Sequence, residues 1–482
     1  MKQHQLLING QWKPAKSGET FPVYNPAVNE IIATAAKAGA EDVDETVCAA
    51  RKAFDEGPWP KMMASERAKI LFKFANIIQS NLEKISREES LNVGKPIQDS
   101  RGEVGAGGSC FEYYAGGITK FFGETIPVSN TGFDYTLREP IGVVAAIVPW
   151  NFPFLMATWK CAPALAAGNC VILKPASYTP LSALHLGHAA LEAGIPEGVF
   201  NIITGPGGTI GSAIVGHPGV DKISFTGETV TGTEIMKTAA DDIKRVSLEL
   251  GGKSPNIIFA DADVDKAARS SVLAVFGNCG QDCCARSRAF VEKSVYDEFV
   301  SAFIDQTKKT VIGDPLDEAT QIGPMISPKQ RTSVLDYIAL GQEEGATLAY
   351  GGELMTDEAY IKGSYIRPAV FTDADNKMRI SQEEIFGPVL SVIPFTDEDD
   401  MIREVNDSPF GLSGSIWTTN LKRAILTAQR VKAGVLSVNT NSSVYIEAPF
   451  GGYKKSGIGR DLGMNALANF TEVKNVFIYT GE

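Results

Sequence analysis

The feature that most constrains this chain is a repeated alternation of strand-like and helix-like periodicity between residues 141 and 250. Ile141–Val148, Cys170–Leu173, Val199–Ile203, Lys222–Phe225 and Val246–Leu250 are short apolar runs rich in β-branched residues. Each fits a strand buried on both faces. Helical stretches separate them, among them Ser182–Ala193 and Thr229–Ala239. Strand, helix and strand in succession predict right-handed βαβ units and a parallel sheet. Such a sheet receives ligands beyond the carboxyl ends of its strands. A second α/β series follows from residue 254. Its strands lie near Asn256–Phe259, Ala289–Val291, Leu390–Ile393, Ser413–Trp417 and Val435–Val438. Helices near Val264–Phe276, Val295–Val311, Lys329–Glu344 and Leu421–Val431 separate these. The join at Leu250-Gly-Gly-Lys-Ser-Pro255 is the expected boundary between the two series, and a cleft there is a favoured ligand site.

Ahead of the first series, Asn9-Gly10 between Leu6–Ile8 and Gln11–Trp12 predicts a β-hairpin. Val43, Val47, Ala50 and Phe54 recur at helical spacing up to Gly57-Pro58. A second helix is expected from Ser65, as N-cap, through Ile70, Phe74, Ile78, Leu82 and Ile85 to Gly94. The 482 residues exceed what one core usually holds, and 44% hydrophobic against 21% charged residues is a globular balance. A formal net charge of −12 argues against binding to nucleic acid or to an anionic membrane surface. Neither a secretory signal pattern nor a run long enough to span a bilayer is present. The seven cysteines are scattered, odd in number and without zinc-ribbon spacing, so a cytoplasmic setting is expected.

Three segments carry chemistry. In Phe276-Gly-Asn-Cys-Gly-Gln-Asp-Cys-Cys-Ala-Arg-Ser-Arg288 a helix ends at a glycine-containing turn that delivers Cys283 just before a strand. Arg286 and Arg288, close by in sequence, would favour a thiolate there; the competing reading is a small, inert core cysteine. Glu249 sits in an apolar strand, where burial would raise its pKa toward neutrality and suit it to accept a proton from water. Its alternative is a carboxylate simply facing solvent. Asn151, in Pro149-Trp-Asn-Phe-Pro153, is either a rigidly held amide donor for an oxyanion or an ordinary turn asparagine. Gly227-Glu-Thr-Val-Thr-Gly232 joins a strand to a helix and offers backbone amides to a pyrophosphate, although it is not G-x-G-x-x-G. His4, His185, His188 and His217 fit no catalytic or ligand spacing. His185 and His188 share a helix without an acidic partner near in sequence, and read as surface or packing residues. No metal is expected.

These segments together resemble the aldehyde dehydrogenase superfamily over nearly the whole chain. The matching strings are Leu7-Ile-Asn-Gly-Gln-Trp12, Pro149-Trp-Asn-Phe-Pro153, Leu173-Lys-Pro-Ala176, Phe225-Thr-Gly227, Leu248-Glu-Leu-Gly-Gly-Lys253, the Asn278–Cys283 turn, Glu383-Glu-Ile-Phe-Gly-Pro388 and Pro449-Phe-Gly-Gly-Tyr-Lys454. Eight strings in the family's order overturn the bland alternatives. The resemblance implies a Rossmann-like cofactor domain (residues 1–117 and 141–250) and a second α/β catalytic domain (251–450). It also implies a small β oligomerisation flap (118–140 with 470–482). It implies Cys283 as nucleophile, Glu249 as general base and Asn151 as oxyanion donor, oxidising an aldehyde to its acid with NAD or NADP through a thiohemiacetal and a thioester. For the cofactor it points to Lys174, Gly227, Glu384 and Phe386, with Trp150 and Leu250 alongside. Lys160 matches a lysine near the nucleophile.

Two departures from the family pattern matter. Ser177 stands where NAD-preferring members carry a glutamate, so a 2′-phosphate would meet no carboxylate and NADP acceptance is expected. Glu228 stands where a serine often caps the helix that faces the pyrophosphate. Phe111-Glu-Tyr-Tyr-Ala115 is similar to betaine- and amino-aldehyde dehydrogenases, and Asp282 would suit a cationic substrate, yet Gly105–Gly108 lack the acidic residues expected there. Medium-chain and aromatic aldehydes therefore stay open. The projecting segment Ile118–Leu137 and the strand Val473–Tyr479 imply a homodimer or homotetramer. Rival readings are a coenzyme A-acylating semialdehyde dehydrogenase and a non-catalytic structural or redox-sensing relative.

Overall fold

The computed structural model describes residues 2–481. One sheet of eight strands runs in the order Gly457–Ile458, Arg245–Glu249, Lys222–Thr226, Val143–Ile147, Cys170–Lys174, Phe200–Ile202, Leu6–Ile8 and Gln11–Lys13. The five strands from Arg245–Glu249 to Phe200–Ile202 are parallel. Every residue of Val143–Ile147, Cys170–Lys174 and Lys222–Thr226 is buried, which is why these runs read as continuously apolar. The chain fills one side of Val143–Ile147 first and then returns to add Lys222–Thr226 on the other. A crevice opens where strand order reverses in this way. The loops leaving those two strands carry Trp150 and Asn151 on one side and Gly227 on the other.

The second sheet has seven strands in the order Thr347–Tyr350, Ala369–Thr372, Val389–Phe395, Arg288–Glu292, Pro255–Ile258, Ser413–Trp417 and Val435–Val438. Only the Thr347–Tyr350 pairing is antiparallel. Each sheet has its own apolar core. The predicted hairpin forms, with Asn9 and Gly10 both at positive φ. Thr125–Ile126, Gly132–Pro140 and Thr471–Tyr479 build a separate antiparallel sheet whose Phe133, Leu137, Val473, Phe477 and Ile478 are exposed.

Several expectations need correction. The helix expected from Ser65 to Gly94 is two helices, Ala64–Ser80 and Leu82–Val93, and its N-cap is Met63 rather than Ser65. The Asn81 amide donates to the Ile77 carbonyl at 2.9 Å and ends the first helix there. The helix Ile97–Gly117 carries no sequence signal because six glycines dilute it. Three of them, Gly107, Gly108 and Gly117, serve packing. A Cβ on Gly107 would stand 2.8 Å from the Phe154 ring, and one on Gly117 2.7 Å from the Met464 sulfur. The stretch between residues 451 and 469, placed in no unit by the sequence, returns to the first sheet through Gly457–Ile458, and Leu462, Ala466 and Leu467 join its core. His185 does have an acidic partner. Its ring contacts Glu88 of Leu82–Val93, and His4 lies 4.0 Å from the same carboxylate.

Candidate active site

The helix Val264–Phe276 stops in a turn where Asn278 (φ 49°), Cys279 (φ 55°) and Gly280 (φ 68°) are all left-handed. Two non-glycine residues in that region store strain, which side-chain hydrogen bonds must hold. The Asn278 amide donates to the Asn151 carbonyl at 3.1 Å, and the Gln281 amide donates to the Asn278 carbonyl at 2.9 Å. The Ile326 N–H donates to Gln281 Oε1 at 2.8 Å. In return Asn151 Nδ2 donates to the Gln281 carbonyl at 2.9 Å. The Asn151 loop and the turn before Cys283 are therefore locked together. Sequence reasoning missed Gln281 and Asn278 as positioning residues, because their partners lie far away in the chain.

Cys283 is half-buried beside Asp282 and Cys284. Its thiol is held well above its ordinary range, first by the hydrogen bond with Cys284, then by burial and by the negative charges of Asp282 and Glu384. The expectation that Arg286 and Arg288 favour a thiolate holds only for Arg286, whose buried charge is drawn to Cys284 and Cys283. The Arg286 guanidinium donates to the Cys284 carbonyl, to Ser415 Oγ and to Ser443 Oγ. Arg288 is buried against the Lys253 and Val405 carbonyls and Asn376. Arg288 is spent on backbone and amide oxygens alone.

Glu249 ends its strand with only 4% of its surface exposed, and its Oε2 has no hydrogen-bond partner. Burial pushes its carboxyl well up, and the nearby Asp461 adds to this, while Lys160 and Arg460 pull it down. The raised pKa foreseen from the strand pattern is present. Lys160 is paired with Asp461 at 3.0 Å, both buried. Two glycines bring the other loops onto this strand end. A Cβ on Gly252 would lie 2.2 Å from the Cys283 carbonyl oxygen, and one on Gly251 2.2 Å from Glu384 Oε2. Glu384 Oε1 also accepts from the Gly252 N–H at 2.9 Å, and burial raises its carboxyl to about 7. Asn151, Cys283, Glu249 and Glu384 are thus joined through one continuous set of contacts.

The expected cofactor residues lie at the crevice of the first sheet. Lys174 is buried, is lowered to about 8 by that burial, and its ammonium donates only to the Pro175 carbonyl among the described residues. Its remaining donors suit ribose hydroxyls. Ser177 Oγ donates to the Gly205 carbonyl at 2.8 Å. The Gly227 N–H donates to the Glu249 carbonyl at 3.1 Å, and a Cβ at Gly227 would stand 2.5 Å from the Phe225 ring. Glu228 is exposed at the N-cap of Thr229–Ala240 and forms no capping bond with its side chain. The buried hydroxyls of Thr226 and Thr229 have no partners, the orphaned polar atoms a phosphate-bearing ligand would satisfy. Leu250 packs against Gly232, and the Trp150 and Phe386 rings meet edge to face at 5.2 Å. These groups fit a dinucleotide.

Beside Cys283 lies a cavity of about 620 Å³. Phe152, Leu155, Trp159, Leu273, Val444 and Leu462 form its apolar walls. Asp99, Glu103, Asp282 and Glu318 also line it, whereas no lysine, arginine or histidine does.

Two largely parallel sheets, with a thiol, an amide and a buried carboxyl on the segments at their strand ends, suit cysteine chemistry beside a bound dinucleotide. The aldehyde dehydrogenase family profile matches residues 12–476. Human retinal dehydrogenase 2 is 44% identical over 99% of this chain and 92% of its own. Benzaldehyde dehydrogenase of Antirrhinum majus is 46% identical over 98% of this chain and 88% of its own. The NAD+ complex of the Bacillus cereus aldehyde dehydrogenase superimposes with a TM-score of 0.97 at 44% identity, covering 100% of this chain and 97% of that one. The chain belongs to the aldehyde dehydrogenase family: it is an NAD(P)-dependent enzyme that oxidises an aldehyde to its carboxylic acid. None of its described helices is long and apolar enough to cross a membrane.

Proposed function

We propose that Cys283 is the nucleophile, Asn151 the oxyanion donor and Glu249 the general base of this oxidation. The observation that carries the assignment is the Asn151 Nδ2 bond to the Gln281 carbonyl, two residues before Cys283. One amide N–H is used there and the second is left for an oxyanion. The Cys283 N–H donates to no protein acceptor among the described residues and is the natural second donor. One such donor is typically worth ~3–4 kcal/mol to a transition state. Because the thiol rests protonated, a base must take its proton before sulfur attacks the carbonyl carbon. Glu249, with a partnerless oxygen and in electrostatic reach of Cys284, takes that role and later activates the water that cleaves the thioester. A bound nicotinamide supplies the hydride acceptor between these two stages.

Lys174, Gly227, Glu384, Phe386, Trp150 and Leu250 would hold the dinucleotide. With Ser177 in place of a carboxylate, NADP is accepted beside NAD. Water rather than coenzyme A is the acyl acceptor, since Glu249 is retained and buried next to the thiol. The exposed apolar face of Phe133, Leu137, Val473 and Phe477 suits pairing with a second copy, giving a homo-oligomer. Seven unpaired cysteines suit a reducing compartment such as the cytoplasm. Rapid mixing tests the catalytic assignment. Cys283→Ala should form no reduced cofactor, and Glu249→Gln, which lacks the base for the thiol as well as for the water, should lose the burst and turn over at least about a hundredfold more slowly. Steady turnover by Glu249→Gln at the wild-type rate would refute it.

A specific observation narrows the substrate. A cavity with four carboxylates and no cation on its surface favours an aldehyde that carries a positive charge away from its carbonyl. Lys95 stands behind the wall, paired with Glu103 and 3.7 Å from Glu89, and Arg101 holds Glu318 at 2.7 Å, so Asp99 and Asp282 are the wall carboxyls without an ion pair among the described residues. Asp99 forms no side-chain hydrogen bond or ion pair among the described residues. The acidic wall comes from Asp99 and Glu103, ahead of the Gly105–Gly108 stretch in which the sequence showed none.

A further inference from the structure

We propose that Asp282, Cys283 and Cys284 form a site for a soft divalent cation of the zinc class, whose binding reversibly silences the enzyme. The inhibition rests on Cys283 being the nucleophile; the binding itself does not.

One carboxylate oxygen and two thiol sulfurs, one from each residue, lie within 4.8 Å of one another. The arrangement has a local cause. The Cys284 N–H donates to Asp282 Oδ1 at 2.8 Å, which folds the carboxylate back over the two thiols that follow it. Both sulfurs are free and half-buried, so neither is spent in a disulfide or sealed in the core. Zinc takes sulfur at ~2.3 Å and carboxylate oxygen at ~2.0–2.2 Å in a tetrahedron, which sets its ligands roughly 3.5–4 Å apart. The observed cluster needs only a small contraction to meet that. Two sulfurs select a soft or borderline ion over magnesium or calcium.

Two further features point to a ligand. Glu249 is almost wholly buried, feels the charge of Cys284 and keeps Oε2 without a partner, so a further carboxyl lies in electrostatic reach of the cluster. Asp282 also lines the 620 Å³ cavity, together with Asp99, Glu103 and Glu318. That gives a cation an acidic route to the thiols. Binding converts two thiols to thiolates and releases two protons, with no change of oxidation state. With its lone pair on the metal, the Cys283 sulfur cannot attack a carbonyl.

The test titrates the full-length enzyme with Zn²⁺ by equilibrium dialysis while following aldehyde oxidation, and repeats it with Co²⁺ followed by absorbance. The expected result is one ion per chain, loss of activity in step with occupancy, recovery on adding EDTA, and a thiolate-to-cobalt charge-transfer band. Cys284→Ser should weaken Zn²⁺ binding and inhibition by at least about tenfold, judged against its own metal-free rate. Its Cys283 should still be alkylated by iodoacetamide. The cobalt spectrum of the wild type needs no variant and so stands if Cys284→Ser fails to fold. Zinc inhibition of Cys284→Ser at the wild-type concentration, a cobalt complex without the charge-transfer band, or one bound ion with full activity would each overturn the proposal. The metal-free Cys283→Ala rate tests the nucleophile separately.

Discussion

Replacing Lys160 by Met should injure stability and catalysis in ways that can be read apart. Lys160 Nζ lies 3.0 Å from Asp461 Oδ2, with side-chain exposures of 1% and 4%. At an effective dielectric near 20, that separation corresponds to an attraction of about 5 kcal/mol, largely offset by the desolvation of both ions. Removing only the lysine leaves Asp461 buried and unpaired, a loss typically of ~3–5 kcal/mol. Lys222, lowered to about 8 by its own burial, feels the charge of Asp461 but forms no ion pair with it among the described residues. The catalytic effect has a definite sign. Glu249 works ionised, so the rate rises with pH as it deprotonates. Lys160 favours the ionised form and Asp461 opposes it. Lys160→Met therefore moves the rising limb of the kcat profile to higher pH, and Asp461→Asn moves it to lower pH. Urea unfolding gives the first quantity, and the pH dependence of steady-state turnover gives the second. A loss of stability below about 1 kcal/mol, or limbs that shift together in the same direction, would refute the reasoning.

Other outcomes follow from single contacts. Ser177→Glu should lower kcat/KM for NADP by at least about tenfold while leaving NAD use far less affected, read with both cofactors at one aldehyde concentration. Trimethylammonio-acetaldehyde should exceed its neutral isostere, tert-butylacetaldehyde, in kcat/KM by about tenfold or more. Asp99→Asn with Glu103→Gln should erase that gap without harming the neutral aldehyde, and equal use of both substrates by the wild type would sink the cationic reading. Gly251→Ala puts a methyl group 2.2 Å from Glu384 Oε2, so Glu384 must leave the Gly252 N–H. KM for the dinucleotide should rise with little change in thermal midpoint; an unchanged KM would show that this contact does not matter for binding.

The parallel strands were legible because burial on both faces leaves an unbroken apolar run, and nothing in Cys170–Lys174 or Lys222–Thr226 competes with that signal. Glu249 was legible for the opposite reason, since a carboxylate within such a run must be buried at a cost. Ile97–Gly117 was not legible. Its glycines lower helix propensity, and the close approach of Phe154 and Met464 that requires them depends on tertiary packing.

The same distinction explains the site. Sequence could nominate Cys283 and Asn151 from the turns that carry them, but it misjudged the charge around the sulfur. Nearness along the chain made both Arg286 and Arg288 look like partners of the thiol, whereas Arg288 is spent on the Lys253 and Val405 carbonyls and Asn376, and only the charge of Arg286 reaches the cysteines. What outweighs it at Cys283 is Cys284, burial, Asp282 and Glu384, all of which oppose ionisation. A thiol held protonated until its substrate arrives is poorly reactive toward stray oxidants and electrophiles, because the thiolate is the reactive form. In the proposed mechanism activation comes from Glu249, whose own charge is set by its burial and by Asp461 and Lys160. Asp461 stands 301 residues beyond its lysine and reaches it only because the chain after Pro449 returns to the first sheet. The nucleophile and its base can be seen in local sequence. The electrostatic control that decides when either is charged resides in the return of that distant segment.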